Sequence, residues 1–314
     1  MDITIVIINW NTRELLRDCL RSIYETVRDV TFEIIVVDNA SGDGSVAMVR
    51  EKFPAVRIIE NSENRGFSAA NNQAFDSMRG RYALLLNTDT VLTEGAVHDL
   101  FAFMENHHDV AIAGGQLLNE DGSRQNSIAN SPTLLSLLMN LPLLEVLFPG
   151  RYPSKRYEHK EPLAVESVIG ACMIVRREAM DEVGVLDEGY FFFFEETDWA
   201  YRMRSAGWKI YHVPSARIYH LQGMSIGRDV RSRILFYRSR YRFFGKWKGR
   251  VYNTAVHGVI VARLIANWLL TAVGMILTVG LHRKLRDKWV VYSRLITWHL
   301  KGCPPVVRNP PSKK

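Results

Sequence analysis

The densest chemistry in the sequence starts at Leu186-Asp187-Glu188, where Tyr190 and four consecutive phenylalanines (Phe191–Phe194) lead into Glu195-Glu196-Thr197-Asp198-Trp199. Acids at a helix start complement the macrodipole, and on a surface that alone accounts for them. A solvated cap has no need of four adjacent phenylalanines. Carboxylates held against apolar walls have raised pKa, which suits a general base that must take a proton from a hydroxyl.

Other polar residues stand where short apolar runs end: Asn9-Trp10-Asn11, Asp38-Asn39-Ala40-Ser41, Asn64-Arg65-Gly66-Phe67 leading to Asn71-Asn72, and Asn87-Thr88-Asp89. A carboxylate such as Asp38 at a strand tip either caps the next helix or accepts a ring N–H or ribose hydroxyl. Gly66 permits close backbone approach, and the helix after it offers free N–H groups to a phosphate. Asp89 is suited to Mg2+ or Mn2+ whose other positions are filled by diphosphate oxygens and water, provided a second protein ligand lies nearby. His220 is a candidate, since a neutral imidazole completes such sites, although a lone histidine is more often a structural residue. No GxGxxG follows the first strand and no GxxxxGK[ST] occurs, which disfavours dinucleotide dehydrogenases and P-loop NTPases.

These residues need elements to position them. Strands are expected at Ile3–Ile8, Phe32–Asp38, Val56–Glu60, Tyr82–Asn87 and Val110–Ala113. Helices are expected from a Thr12 cap to about Thr26, at Ser45–Lys52 and Ser68–Met78, and from about Glu94 to Asn106. Alternation with short connections predicts an α/β fold with a mostly parallel central sheet, whose ligands bind beyond the carboxyl ends of the strands. Leu134–Phe148 reads as a core or interfacial helix, and strand-like then helical patterning resumes from Val165 to His220.

Across 314 residues the formal charge is +7, with 47% hydrophobic and 23% charged residues, the balance of a folded protein with a taste for anionic partners. Cys19, Cys172 and Cys303 form neither a CxxC pair nor a disulfide framework and are expected as reduced thiols. The N-terminus has no basic segment or cleavage site of a signal peptide, so a cytoplasmic location is expected. Composition shifts near Arg228. A basic, aromatic run to Arg250 precedes an apolar stretch, Ala255–Leu281, whose charge-free part Leu264–Leu281 approaches bilayer-spanning length. A second basic cluster (His282–Lys288) and an amphipathic run (Trp289–Leu300) follow. Two domains are expected, 1–227 and 228–314, the second a helical membrane-association region at the cytoplasmic face, either spanning or lying on the bilayer. A nucleic-acid reading of the basic patch is disfavoured, because RNA binding has no use for the apolar helix.

Taken in order, IVIINWN (Ile5–Asn11), VVDNAS (Val36–Ser41), NRGFSAANN (Asn64–Asn72), LLLNTDT (Leu84–Thr90), GACMIVRR (Gly170–Arg177), LDEGYFFFFEETDWAYR (Leu186–Arg202) and HLQGMS (His220–Ser225) resemble the inverting GT-A glycosyltransferases of family 2, in their bacterial rhamnosyltransferase-like branch. The resemblance covers about residues 3 to 225. It implies a GT-A fold, a nucleotide-sugar donor (dTDP- or UDP-linked), a glycan or lipid-linked glycan acceptor, and Mg2+ or Mn2+. It implies a donor site at Asn9, Asn11, Asp38, Asn64, Gly66, Asn71, Asn87 and Asp89, with metal ligands Asp89 and His220. It also implies Glu196 as base, assisted by Glu195 and Asp198, and an acceptor side at Gly170, Ala171 and Trp199. One carboxylate stands at Asn87-Thr88-Asp89 where many relatives have two, and the base is Glu rather than Asp. The rival readings are a catalytically silent nucleotide-binding membrane scaffold and a sugar nucleotidyltransferase. The intact acids oppose the first, and the absence of a Gly-rich basic loop near the N-terminus opposes the second.

Overall fold

A computed structural model of the chain describes residues 1–139, 141–153, 159–221, 230–279 and 281–305. The motif positions Gln222–Ser225, with Gly223, and the expected domain boundary at 227/228 lie outside the described residues. The chain forms two compact units: Met1–Ser131 with Glu145–Ser225, and Pro132–Leu144 with Ile226–Lys314.

The first unit begins β1 (Ile3–Asn9), α1 (Arg13–Thr26), β2 (Phe32–Asp38), α2 (Ser45–Lys52), β3 (Arg57–Glu60), α3 (Gly66–Phe75) and β4 (Tyr82–Leu86). Side chains alternate across a strand, so an unbroken apolar run must be covered on both faces. Ile3, Ile5 and Ile7 of β1 pack with Leu16, Leu20 and Ile23 of α1 on one face. On the other, Val6, Ile35 and Val37 pack with Ala70 and Ala74 of α3. That two-sided burial aligns the carboxyl ends of β1 and β2 in register, Asn9 opposite Asp38. Thr12 does occupy the N-cap of α1, but its hydroxyl does not cap the helix. It donates instead to Asn9 Oδ1 at 2.8 Å and to Thr88 Oγ1 at 3.0 Å, tying the first and fourth strand ends together.

The unit continues with β5 (Thr90–Leu92), α4 (Ala96–Asn106), β6 (Val110–Leu118) and β7 (Ile128–Ala129). Two short helices follow, α5 (Leu134–Leu138), which with the start of the next belongs to the second unit, and α6 (Leu141–Leu147). The single helix expected over Leu134–Phe148 is thus two, because Pro142 has no N–H to continue the hydrogen-bond ladder. Then come β8 (Leu163–Ala164), β9 (Ser167–Val168), β10 (Cys172–Arg176), α7 (Arg177–Val183), α8 (Glu195–Ser205) and β11 (Lys209–His220). The nine-stranded sheet runs β3-β2-β1-β4-β10-β6-β11-β5, with β8 on β11. β1 to β4, β6 and β11 point one way; β10, β5 and β8 oppose them. The sheet is therefore mixed but mostly parallel.

Antiparallel β10 is fastened by a buried guanidinium. Arg176 donates to the carbonyls of Val110, Met104 and His107 at 2.9, 2.6 and 2.9 Å and to Tyr82 Oη at 3.1 Å.

In the second unit, α9 (Val230–Trp247), α10 (Gly249–Leu277) and α11 (Arg283–Leu300) pack together. Val256, Ile260 and Leu264 of α10 are buried at four-residue spacing. α11 runs back along α10: Gly274 sits against Leu285, and Trp268 stacks on Trp289 and donates to Ser293 Oγ at 2.8 Å. α10 is the one helix among the described residues long and apolar enough to cross a membrane.

Replacing Arg176 with Met keeps the apolar stem but removes a buried donor from three carbonyls and from Tyr82 Oη. Urea unfolding should show a loss of about 3–5 kcal/mol, and an unchanged midpoint would refute the role assigned to this guanidinium.

Candidate active site

At the ends of β1 and β2, Asn9 Nδ2 donates to Asp38 Oδ1 at 2.7 Å and to Ser41 Oγ at 3.0 Å, and Ser41 N donates to Asp38 Oδ2 at 2.8 Å. Asn11 donates its N–H to Ser41 Oγ and accepts from Gly42 N through Oδ1. Asn11 and Ala40 both adopt left-handed backbone, with φ 54 and 60. Asn9, Asn11 and Asp38 are thus brought together, and the carboxylate is aimed by two donors while keeping lone pairs to spare.

The next loop closes on the aromatic run. Asn39 Nδ2 donates to Gly66 O at 3.2 Å, and Asn64 Oδ1 accepts from Gly66 N at 2.9 Å. Gly66 has φ +83, and a Cβ there would lie 2.5 Å from Phe191 O and 2.7 Å from Phe191 Cδ2. The close approach that this glycine permits is therefore to Phe191, whose carbonyl accepts from Phe67 N at 2.8 Å. On α3, Ser68 and Asn71 are fully buried. Asn71 Nδ2 donates to Phe67 O, whereas Asn71 Oδ1 and Ser68 Oγ have no hydrogen-bond partner. Buried polar atoms in that state mark a place where a ligand can complete the bonding.

Asn87 follows β4, its N–H donating to Ala171 O at 2.9 Å. Beyond it, β11 pairs with β5 so that His220 lies opposite Thr90, and Leu221 N donates to Asp89 O at 2.8 Å. Two residues 131 positions apart in the chain thereby meet: His220 Nε2 lies 3.4 Å from Asp89 Oδ1, both nearly buried. On its other side, His220 Nδ1 bonds Gln125 Oε1 at 2.9 Å. A Gln carbonyl accepting from Nδ1–H leaves Nε2 with its lone pair toward the carboxylate, the arrangement that orients histidine ligands in metal sites. One carboxylate oxygen and one imidazole nitrogen fit a divalent cation that draws its remaining ligands from a diphosphate. Among the described residues no group of three or more His, Cys, Asp or Glu forms a self-sufficient metal cage. Gln125 was not foreseen from the sequence, where it stands in a polar loop without motif or periodicity.

The aromatic run ends in two consecutive left-handed residues, Phe193 at φ 71 and Phe194 at φ 70. This strained turn is held by packing, Phe192 edge-on to Phe67 and Phe193. It starts α8 with Glu195 buried and Glu196 partly exposed. Glu195 Oε2 is buried without a hydrogen-bond partner. Burial, and then the charge of Glu196, push the Glu195 carboxyl well up; burial pushes Glu196 up to about 7. A Cβ on Gly170 would lie 3.7 Å from Glu196 Cβ and Cγ, so the absent side chain leaves Glu196 flanked by backbone. Ala171 is buried beside it.

Two of the expected site residues face elsewhere. Asp198 is fully buried, accepting from Tyr190 Oη at 3.2 Å and paired with Arg202 Nε at 3.1 Å. Its carboxylate fastens α8 to the aromatic turn and does not line the site. Trp199, expected on the acceptor side, is also fully buried, packed on Phe75 and donating to Gly184 O at 2.8 Å. It is a core residue.

The fold is that of the GT-A nucleotide-sugar transferases. It superposes on a mannosyltransferase from Pyrobaculum calidifontis solved with GDP-Man and Mn2+ (TM-score 0.58, 16% identity, 95% of this chain and 86% of the other). It also superposes on GalNAc-T7 solved with UDP, GalNAc and Mn2+ (TM-score 0.58, 17% identity), matching 79% of this chain but only 48% of that one. Residues 4–184 match the family described as glycosyl transferase family 2, and the chain belongs to that family. Among curated relatives, an N-acetylglucosaminyl-diphospho-decaprenol L-rhamnosyltransferase of Mycobacterium tuberculosis is 29% identical over 67% of this chain and 73% of its own length. A low-salt glycan biosynthesis hexosyltransferase of Haloferax volcanii is 25% identical over 85% and 83%.

The raised Glu196 pKa carries a stability signature. The folded chain holds this proton up to about pH 7, the unfolded chain only to its ordinary 4.5. The stabilisation linked to that proton is complete below about pH 4.5 and is lost as pH rises through 7. Thermal unfolding of Glu196→Gln should therefore match wild type near pH 4.5 and exceed it at pH 8. Solvent screening keeps the difference to about 1–2 kcal/mol. Parallel curves across that range would show that burial does not hold the proton.

Proposed function

We propose that this glycosyltransferase moves a sugar from a nucleotide-sugar donor to an acceptor hydroxyl with inversion, using Glu196 as the base. The observation that carries the reading is Glu196 itself: a partly exposed carboxyl beside the backbone of Gly170, with its pKa brought near neutrality. The closest match of a base pKa to working pH gives the greatest proton-transfer efficiency. Glu196 takes the acceptor proton as the hydroxyl oxygen attacks the anomeric carbon from the face opposite the nucleotide. The glycosidic bond to the diphosphate breaks in the same displacement, and Glu196 leaves protonated. Glu195, buried with one oxygen lacking a partner, holds its own proton and leaves the base role to Glu196. Asp38, Asn9 and Asn11 form the nucleotide end of the donor site, with Asn64, Gly66, Asn71 and Asn87 around it. Asp89 and His220 would hold Mg2+ or Mn2+, which when bound neutralises the charge developing on the departing diphosphate.

L-Rhamnose from a dTDP donor is the first choice of sugar, supported by the mycobacterial relative, an L-rhamnosyltransferase. That relative's acceptor is N-acetylglucosaminyl-diphospho-decaprenol, which supports a lipid-linked glycan acceptor here and work at a membrane surface, read as its cytoplasmic face.

The test is nucleoside diphosphate release from a panel of dTDP-, UDP- and GDP-sugars with Mn2+ or Mg2+ and a lipid-linked acceptor. One donor should stand out, chelator should abolish turnover, and Asp89→Ala and Glu196→Gln should each cost about 10²–10⁴-fold in kcat. For wild type, kcat/KM should climb as pH rises through about 7. Silence with every donor would instead support a nucleotide-binding scaffold.

A further inference from the structure

The two units carry opposite charge. The first holds 21 Lys and Arg against 31 Asp and Glu; the second holds 19 against 2. The modest +7 of the whole chain therefore conceals a strongly basic second unit and an acidic first one.

The same basic unit leaves one face of α10 open. Val251, Ile265, Leu269, Val273, Ile276 and Leu277 are 87, 42, 52, 53, 76 and 79% exposed. At about 100° per residue they fall within an arc of about 120°, opposite buried Val256, Ile260 and Leu264. The stripe is about 39 Å long at 1.5 Å per residue. Between Val251 and Leu277 the only Lys or Arg is Arg263, at the edge of that arc, and there is no Asp or Glu. An apolar face with basic surroundings is what binds an anionic lipid surface.

The packing also decides how it would bind. α11 returns along α10, so Gly274 meets Leu285 and Trp268 meets Trp289 and Ser293. Exposed Arg283, Lys284, Arg286 and Lys288 thus accompany the last turns of α10, and exposed Arg294 lies further along α11. A spanning α10 would carry that cationic end through the hydrocarbon to the far side. With α10 in the plane of the interface, the apolar stripe enters the acyl region while the lysines and arginines reach phosphates.

We propose that the second unit is a monotopic membrane-binding device, α10 lying flat in an anionic leaflet and α11 beside it, neither crossing. This goes beyond the sugar-transfer reading and does not depend on it. Full-length protein is floated with sealed vesicles of phosphatidylcholine alone or mixed with phosphatidylglycerol. It should float with the mixed vesicles and fall off as salt is raised. Leu269→Glu with Ile276→Glu, both at exposed positions, should cut the floated fraction about tenfold while leaving the thermal transition unchanged. Sidedness is read with Leu281→Cys in a Cys303→Ser background. Cys19 and Cys172 are buried, their thiols pushed up to about 12, and stay unlabelled. A membrane-impermeant maleimide outside sealed vesicles should label Cys at position 281 in full. Labelling only after lysis would establish a span and overturn the proposal. So would equal flotation on neutral vesicles, or binding to a DNA duplex without flotation. Nucleotide release, measured on the same preparations, reports the donor chemistry separately.

Discussion

Taking carboxylates out of water is the constraint on which this molecule's catalytic unit depends. Asp38, Asp89, Glu195 and Asp198 are all buried, and each is a charge that must be paired, hydrogen-bonded or neutralised by a proton. They are treated differently. Asp198 has Arg202 and Tyr190. Asp38 has Asn9 and Ser41. Asp89 faces His220 Nε2 at 3.4 Å across the β5–β11 pairing, an arrangement suited to a divalent cation. Glu195 keeps an oxygen with no partner and meets the cost by holding its proton. The distinction sorts structural acids from chemical ones better than their positions in a motif do.

Much of this was legible before any coordinates. β2 and α2 run as expected, and the strand ends that gather the polar residues follow from apolar runs that only two-sided burial explains. The strand directions were less accessible. β10 reads as a strand, but nothing local says that it runs against β4 and β6, because register and direction are set by what the rest of the chain leaves open. Nor did the acids of α8 sort themselves. A helix turns about 100° per residue, so neighbours in sequence point apart: Glu196 looks outward, whereas Glu195, Asp198, Trp199 and Arg202 share the inner side. Proximity along the chain had grouped Asp198 and Trp199 with the base; the helix separates them. Gln125 carried no signal at all, since its role exists only once β11 has brought His220 to it.

The same physics governs the second unit from the opposite direction. Its apolar stretch and basic flanks stand out in composition, yet composition cannot say which side of a helix is covered. Packing of Val256, Ile260 and Leu264 against neighbouring helices uses up one face of α10. What remains exposed is apolar, and the lysines and arginines that would meet lipid phosphates are concentrated on the helices beside it.

The pKa of Glu196 is the outcome of opposed effects whose sizes decide it. The residue sits in the first turn of α8, where the helix dipole and free N–H groups favour the ionised form. The backbone N–H groups of Glu196 and Thr197 do act that way, lowering its pKa. Burial acts against them and is the larger cause, so the balance comes to rest near 7 rather than near 4. A fully solvated first-turn glutamate would be a weaker base, ionised at every physiological pH and indifferent to a hydroxyl proton. One as buried as Glu195 would hold its proton too tightly to be free to accept another. The strained Phe193–Phe194 turn, held by Phe67 and by the contact between Gly66 and Phe191, sets the depth at which the helix begins. One residue along that helix separates the two carboxyls, and with it the depth of burial that sets their two proton affinities.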